Sequence, residues 1–227
     1  MHRFDTTYPH LKGCIFIITY GRSGSTLLQT VLQSVPGAHI IGENGNILAP
    51  IWQAFRKAKG TKATWSARGS AEPTHPWHGA DNFRPEAFAA RMVKSFVDEL
   101  LRPPATARWI GFKEIRYAEF GDDLPRHLDF MARHFKNAVF VFNTRDAESV
   151  SKSGWWRKKD HDEVVAMVRG QDARFKAYAA AHPRSCFVNS FERMLAEPES
   201  LKPLFAMLGE DFDRDAITNI LSNKLRH

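Results

Sequence analysis

An α/β fold on a mostly parallel central sheet is the architecture this sequence predicts, and three observations predict it. Ile15, Phe16, Ile17, Ile18 and Thr19 form an apolar, β-branched run suited to a strand buried on both faces. Four further strand-like runs, at 38–42, 108–113, 138–143 and 185–189, are separated by segments of helical periodicity. The 227 residues, 43% hydrophobic and 25% charged, suffice for one substantial core. No repeat, low-complexity tract or linker divides them, so a single domain over 1–227 is expected.

The elements follow in order. Residues 1–12 read as a short lead-in. The first strand ends in a turn, Gly21-Arg22-Ser23-Gly24. Leu27, Leu28, Val31, Leu32 and Val35 then recur at helical spacing, which starts a helix near Ser25. Strand, glycine turn and helix N-terminus make a phosphate cradle: the first helical turn has free N–H groups and a dipole that favours an anion. Gly21 and Gly24 admit close backbone approach, Ser23, Ser25 and Thr26 offer hydroxyls, and Arg22 offers a guanidinium fork. The plainer alternative is a strand, turn and helix with glycine for geometry alone.

The second strand ends at Glu43, and a helix is expected over 47–58. Residues 59–82, punctuated by Gly and Pro and carrying Trp65, His75, Trp77 and His78, read as a long lid-like loop, with a surface insertion as the alternative. His75 and His78 suit the surface better than catalysis. Helices are expected at 83–101, opened by Pro85, and at 124–135, 160–181, 201–208 and 215–225.

A net charge of +7 and a pI near 9.5 call for an anionic ligand. The charge is dispersed, and no nucleic-acid motif accompanies it, so nucleic acid is not the expected partner. Cys14 and Cys186 lie in apolar runs and read as buried thiols of a reducing compartment. No metal-ligand spacing, polar-to-apolar leader or membrane-length apolar run is present in the sequence. A cytoplasmic protein without a membrane span is the expectation.

A second constellation follows the 138–143 strand. Arg145 stands at its carboxyl end, where ligands of open α/β sheets gather. Ser153 lies eight residues on and Arg157 four further, sharing a face if a helix continues there. Together they read as a second anion site. Glu43, at another strand end, is placed to take a proton from an attacking hydroxyl, with Arg22 near enough to keep it charged. Lys113 ends the third strand and is placed to balance charge on a leaving oxygen. Glu114 and Arg116 read equally as substrate contacts or as a solvated charge cluster.

The loop GRSGST has neither the lysine of GxxxxGK[ST] nor the pattern GxGxxG. It resembles the 5′-phosphosulfate loop of sulfotransferases that use 3′-phosphoadenosine 5′-phosphosulfate (PAPS). Arg145 and Ser153 keep the spacing with which that family binds the 3′-phosphate. Within the family the sequence is most similar to the tyrosylprotein-sulfotransferase-like and bacterial branch. There the loop reads PRSGT, a catalytic glutamate stands at the distance of Glu43 from Arg22, and a second phosphate-binding arginine stands at the position of Arg157. Residues 189–192, Asn-Ser-Phe-Glu, resemble the family's YED segment, with Phe191 in the tyrosine position and at the adenosine pocket. The C-terminal RKGxxGDWK motif of the cytosolic branch is missing. The resemblance implies a three-layer fold like that of P-loop NTPases, with helices on both sheet faces. It implies transfer of a sulfuryl group from PAPS to a hydroxyl of a small molecule, saccharide or peptide, leaving 3′-phosphoadenosine 5′-phosphate (PAP), with no metal required. A P-loop kinase, with Ser25 or Thr26 and Glu114 holding Mg²⁺, is the first alternative. A basic nucleic-acid-binding protein is the second.

Overall fold

The computed structural model describes residues 2–68 and 71–222. It divides into two compact units, residues 1–45 with 103–227, and residues 46–102.

The first unit is built on five strands: β1 (Gly13–Ile18), β2 (Ala38–Ile41), β3 (Trp109–Glu114), β4 (Ala138–Thr144) and β5 (Cys186–Ser190). They pair in the order β2-β3-β1-β4-β5, and every pairing is parallel. β1, β3 and β4 are buried along their whole lengths, which explains why their sequences do not alternate. The associated helices are α1 (Ser25–Gln33), α4 (Leu124–His134), α5 (Ala147–Ser151), α6 (His161–Ala181), α7 (Phe191–Ala196), α8 (Lys202–Leu208) and α9 (Arg214–Ser222). The second unit holds α2 (Leu48–Trp65) and α3 (Pro85–Ser95).

Two cores flank the sheet. Ile15, Ile17, Val139 and Val141 pack on Leu28 and Val31 of α1, Met194 of α7, Leu204 and Phe205 of α8, and Ile217 of α9. The alternate residues build an aromatic core: Phe16 lies 5.0 Å from Phe112 and 4.8 Å from Phe135, and Phe142 stacks on Phe175 of α6 at 5.1 Å. Each such burial contributes about 1.5–3 kcal/mol, and together they fix the strand ends on which the site stands. The lead-in is part of this core, since Phe4 is fully buried and Asp5 is paired to Lys136 at 2.7 Å.

Three expectations change. The helix placed over 47–58 runs on to Trp65, so the first part of the 59–82 loop is helical. Lys57, Ala58, Lys59, Lys62 and Ala63 all favour helix and carry it past Gly60, whose cost is about 1 kcal/mol. Beyond it, Trp65 stacks on Trp77 at 5.1 Å and Ala80–Asn82 form a 3₁₀ turn. The helix over 83–101 is α3 followed by π-helical turns at Phe96–Leu101. The helix after Arg145 does not continue: α5 stops at Ser151, Ser153 is extended, and Gly154 turns the chain with φ 56° into a 3₁₀ segment. Ser153 and Arg157 therefore share no α-helical face. The last three residues of the helix expected over 215–225 lie outside the described residues.

Candidate active site

The carboxyl ends of the strands converge on one cavity of about 580 Å³. Gly21, Arg22, Gly24, Ser25 and Thr26 line it after β1, Glu43 after β2, Lys113 in β3, Arg145 after β4 and Phe191 after β5. The size suits a nucleotide with part of a second substrate.

The loop after β1 is shaped by its own contacts. Gly24 takes φ 76°, and a Cβ there would lie 2.2 Å from the Phe191 ring. Only glycine permits both the left-handed backbone and that approach. Ser23 turns inward: it is buried, and its hydroxyl lies 2.7 Å from Thr19 Oγ1, which also lies 2.7 Å from the Asn143 carbonyl. Since a carbonyl only accepts, Thr19 donates to Asn143 and Ser23 donates to Thr19. Ser23 thus braces the loop from beneath and does not line the cavity. The α1 N-terminus has no side-chain cap and no acidic residue in its first turn, which leaves it an anion acceptor.

The second constellation is joined to this loop directly. Arg145 Nη1 donates to the Arg22 carbonyl at 2.9 Å, and Arg22 Nε donates to Ser153 Oγ at 3.2 Å. Trp156 Nε1 donates to the Gly21 carbonyl at 2.9 Å, while the Trp155 ring lies against Gly21. Arg22 itself takes φ 66°, an uncommon conformation for a residue with a side chain, and these contacts hold it there. The Arg145 guanidinium lies over the Phe191 ring at 4.8 Å, and its buried Nε has no hydrogen-bond partner among the described residues. A buried cationic donor without such a partner, on a residue that lines a cavity, is chemistry suited to an anion. Arg157 stands apart, exposed on the 3₁₀ segment and not among the cavity-lining residues.

Glu43 receives Lys113 Nζ at 2.7 Å and Arg116 Nη1 at 3.4 Å. Among the described residues these are its cationic partners, in place of the expected Arg22. Lys113 is almost fully buried, while Glu43, which lines the cavity, keeps a third of its side chain exposed. Glu114 faces inward, fully buried, and is consumed by Arg116 and by the N–H groups of Ile115 and Asn44. It belongs to the frame that holds Glu43, and its burial among these donors fits that structural part better than the Mg²⁺ role raised for it.

Several residues here escaped the sequence reading. Trp155, Leu195 and Leu221 line the cavity, and Tyr20 and Asn143 brace it. Asn143 and Asn189 carried a legible signal, as polar residues ending apolar strand runs. They bond to each other at 2.7 Å, and Asn143 Nδ2 donates to the Ser23 carbonyl.

The profile of the sulfotransferase family matches residues 14–214. The chain belongs to the sulfotransferase family. The sulfotransferase domain of the Synechococcus PCC 7002 olefin synthase is similar to this sulfotransferase with a TM-score of 0.57 at 19% identity, covering 93% of this chain and 78% of that one. The sulfotransferase domain of the curacin biosynthetic pathway gives 0.54 at 18%, covering 94% and 79%. Mouse sulfotransferase SULT7A1 complexed with PAP gives 0.50 at 15%, covering 92% and 62%. By sequence, no curated protein matches the chain. The five-stranded parallel sheet flanked by helices is thus the P-loop-NTPase-like fold of sulfotransferases, and the enzyme is a transferase of sulfuryl groups.

Proposed function

We propose that this sulfotransferase takes its sulfuryl group from PAPS and releases PAP. The observation that carries the reading is the linkage of two anion sites: the loop at Gly21–Thr26 and the Arg145 guanidinium, whose buried Nε lacks a partner, are tied through the Arg22 carbonyl. A nucleotide phosphorylated at both its 3′ and 5′ positions satisfies both sites at once. The PAP held by the mouse neighbour supports the same choice.

The loop N–H groups, Ser25, Thr26 and Arg22 hold the 5′-phosphosulfate, Arg145 and Ser153 hold the 3′-phosphate, and Phe191 lies against the adenosine. Arg157, exposed and four residues beyond Ser153, reaches the 3′-phosphate only from outside. PAPS supplies an activated S–O bond. Glu43 takes the proton of the acceptor hydroxyl as the oxygen attacks sulfur, and the electron pair of the broken S–O bond stays on the departing phosphate. Protonation of Glu43 cancels the charge that holds Lys113, so the ammonium becomes available to the leaving oxygen.

The acceptor is a hydroxyl-bearing small molecule, saccharide or peptide, and residues 59–82 act as a lid that selects it. No metal takes part in this scheme, and the cell compartment it assumes is the cytoplasm. Two buried free thiols support that compartment. Among the described residues no helix is long and apolar enough to cross a membrane.

Calorimetry with PAP and 5′-AMP tests the nucleotide assignment. PAP should bind at least tenfold more tightly, with and without EDTA, and Arg145→Ala should remove most of that preference, about 1.5–3 kcal/mol for a charge-assisted contact. Equal affinities in the wild type sink it.

A further inference from the structure

Tyr20 and Asp172 take no part in the scheme above and do not line the cavity, yet they converge on the residue that carries the second anion site. Tyr20 follows β1 and is buried, its ring parallel to that of Phe175 at 6.4 Å. Its hydroxyl accepts the Arg145 N–H at 2.8 Å and lies 3.1 Å from the Arg145 carbonyl oxygen and 3.0 Å from Asp172 Oδ1. The next N–H, that of Asp146, donates to Glu192 Oε1 of α7 at 3.0 Å. The main chain at Arg145 and Asp146 is therefore held by Tyr20, itself bonded to Asp172 of α6, and by Glu192 of α7.

The phenol has a single proton and two acceptors within reach. An ionised carboxylate is the stronger acceptor, so Asp172 draws the proton and leaves an oxygen lone pair turned toward the Arg145 N–H. Without Asp172 the hydroxyl is free to rotate to the carbonyl. Packing alone does not ask for a half-buried carboxylate here. Desolvation works against its charge and pushes it up to about 6, helped by Glu192 and opposed by Tyr20 and by Lys176 on its own helix.

We infer that Tyr20 and Asp172 are positioning residues for the Arg145 anion site, fixing the peptide from which that guanidinium reaches the nucleotide. The inference rests on the nucleotide reading above, because it assigns Arg145 to a 3′-phosphate. It concerns selectivity for that phosphate: Tyr20 adjoins Gly21 of the 5′ loop through the main chain, but the hydrogen bonds of its hydroxyl run to Arg145 and Asp172.

The test is the ratio of PAP to 5′-AMP affinity, measured by calorimetry at pH 7.5 on the wild type, Tyr20→Phe, Asp172→Ala and Asp172→Asn. Loss of one anchoring hydrogen bond should lower the ratio about tenfold in Tyr20→Phe and Asp172→Ala, with 5′-AMP affinity kept within about twofold. Asp172→Asn still accepts from the hydroxyl and should restore most of the ratio. Should Tyr20→Phe fail to fold, the two Asp172 variants carry the comparison. An unchanged ratio in Tyr20→Phe and Asp172→Ala overturns the inference, and so does an equal loss for both nucleotides, which marks a merely structural role. A drop in Tyr20→Phe alone overturns the part given to Asp172. A wild-type ratio near one is a different failure, since it removes the nucleotide reading before any variant is considered.

Discussion

Lys113 Nζ donates to Glu43 Oε1 at 2.7 Å, so the proposed base and the cation proposed for the leaving group are one ion pair. Replacing either changes the other. Glu43→Gln should lower kcat by about 10²–10⁴, the usual loss for a general base, with PAP affinity equal or slightly raised. Lys113→Ala should lower kcat and leave PAP affinity equal or slightly weakened, since Glu43 holds its ammonium until the acceptor proton arrives. Steady-state kinetics on an acceptor found by screening, with calorimetry for PAP, separates them. Wild-type turnover in Glu43→Gln would place the base elsewhere.

Gly154 is where the Arg145 segment bends back to the loop. A Cβ there would lie 2.7 Å from Arg22 Nε, and the backbone φ of 56° is one that side chains adopt rarely. Gly154→Ala should therefore displace Ser153 or Arg22, at a strain of about 1–3 kcal/mol. The expected readout is a raised KM for PAPS and a lowered thermal midpoint, together in one variant. Unchanged values for both would show that the two proposed anion sites do not depend on this turn.

Stability should depend on pH through Asp172. Burial raises it to about 6, above the value near 4 of an unfolded carboxylate. Between those limits the folded protein holds a proton that the unfolded chain has released, so stability falls as pH rises through the window. Asp172→Asn lacks this dependence. Thermal melts at pH 4.5 and 7 should show the difference between variant and wild type moving in the variant's favour, by about 1 kcal/mol after allowance for the group's partial exposure. A difference independent of pH contradicts the assignment.

Proteolysis addresses the lid proposed for residues 59–82. Helix α2 reaches Trp65, so cleavage in the free protein should fall after it, in the turns that lead to the 3₁₀ segment at Ala80–Asn82. PAP with an acceptor should slow that cleavage. If ligands leave the rate unchanged and the nicked enzyme keeps its acceptor preference, residues 59–82 have no part in selection.

Much of this was legible in the residues themselves. Apolar runs announced β1 and β4 because strands buried on two faces have no polar side to show, while β3 offered only Trp109 to Phe112 between charged residues. GRSGST announced the loop because its glycines mark the turn between β1 and α1. The Arg145 segment was harder. Its spacing to Ser153 was visible, but the break at Gly154 depends on Arg22, 132 positions earlier, whose side chain fills the space a Cβ would need. Partners set by tertiary packing escaped for the same reason. Glu43 finds Lys113 and Arg116 because β2 and β3 are neighbours, a register no local pattern encodes. Tyr20 reads as one more aromatic in a core run, and nothing near it in the chain points to Asp172. The run of α2 past Ala58 shows propensity summed over lysines and alanines outweighing one glycine.

The two indoles at 155 and 156 give the site an optical handle of its own. Trp156 is hydrogen-bonded to the Gly21 carbonyl, and Trp155 rests on the same residue while half its surface meets solvent. On the proposed nucleotide reading, a phosphate settling on the loop should alter the polarity and quenching around both rings at once. Binding of PAP should therefore appear as a change in intrinsic emission, over the background of the other four of the six tryptophans. Converting Trp155 to Phe and Trp156 to Phe in turn would report separately on the solvent side and the loop side of the same event.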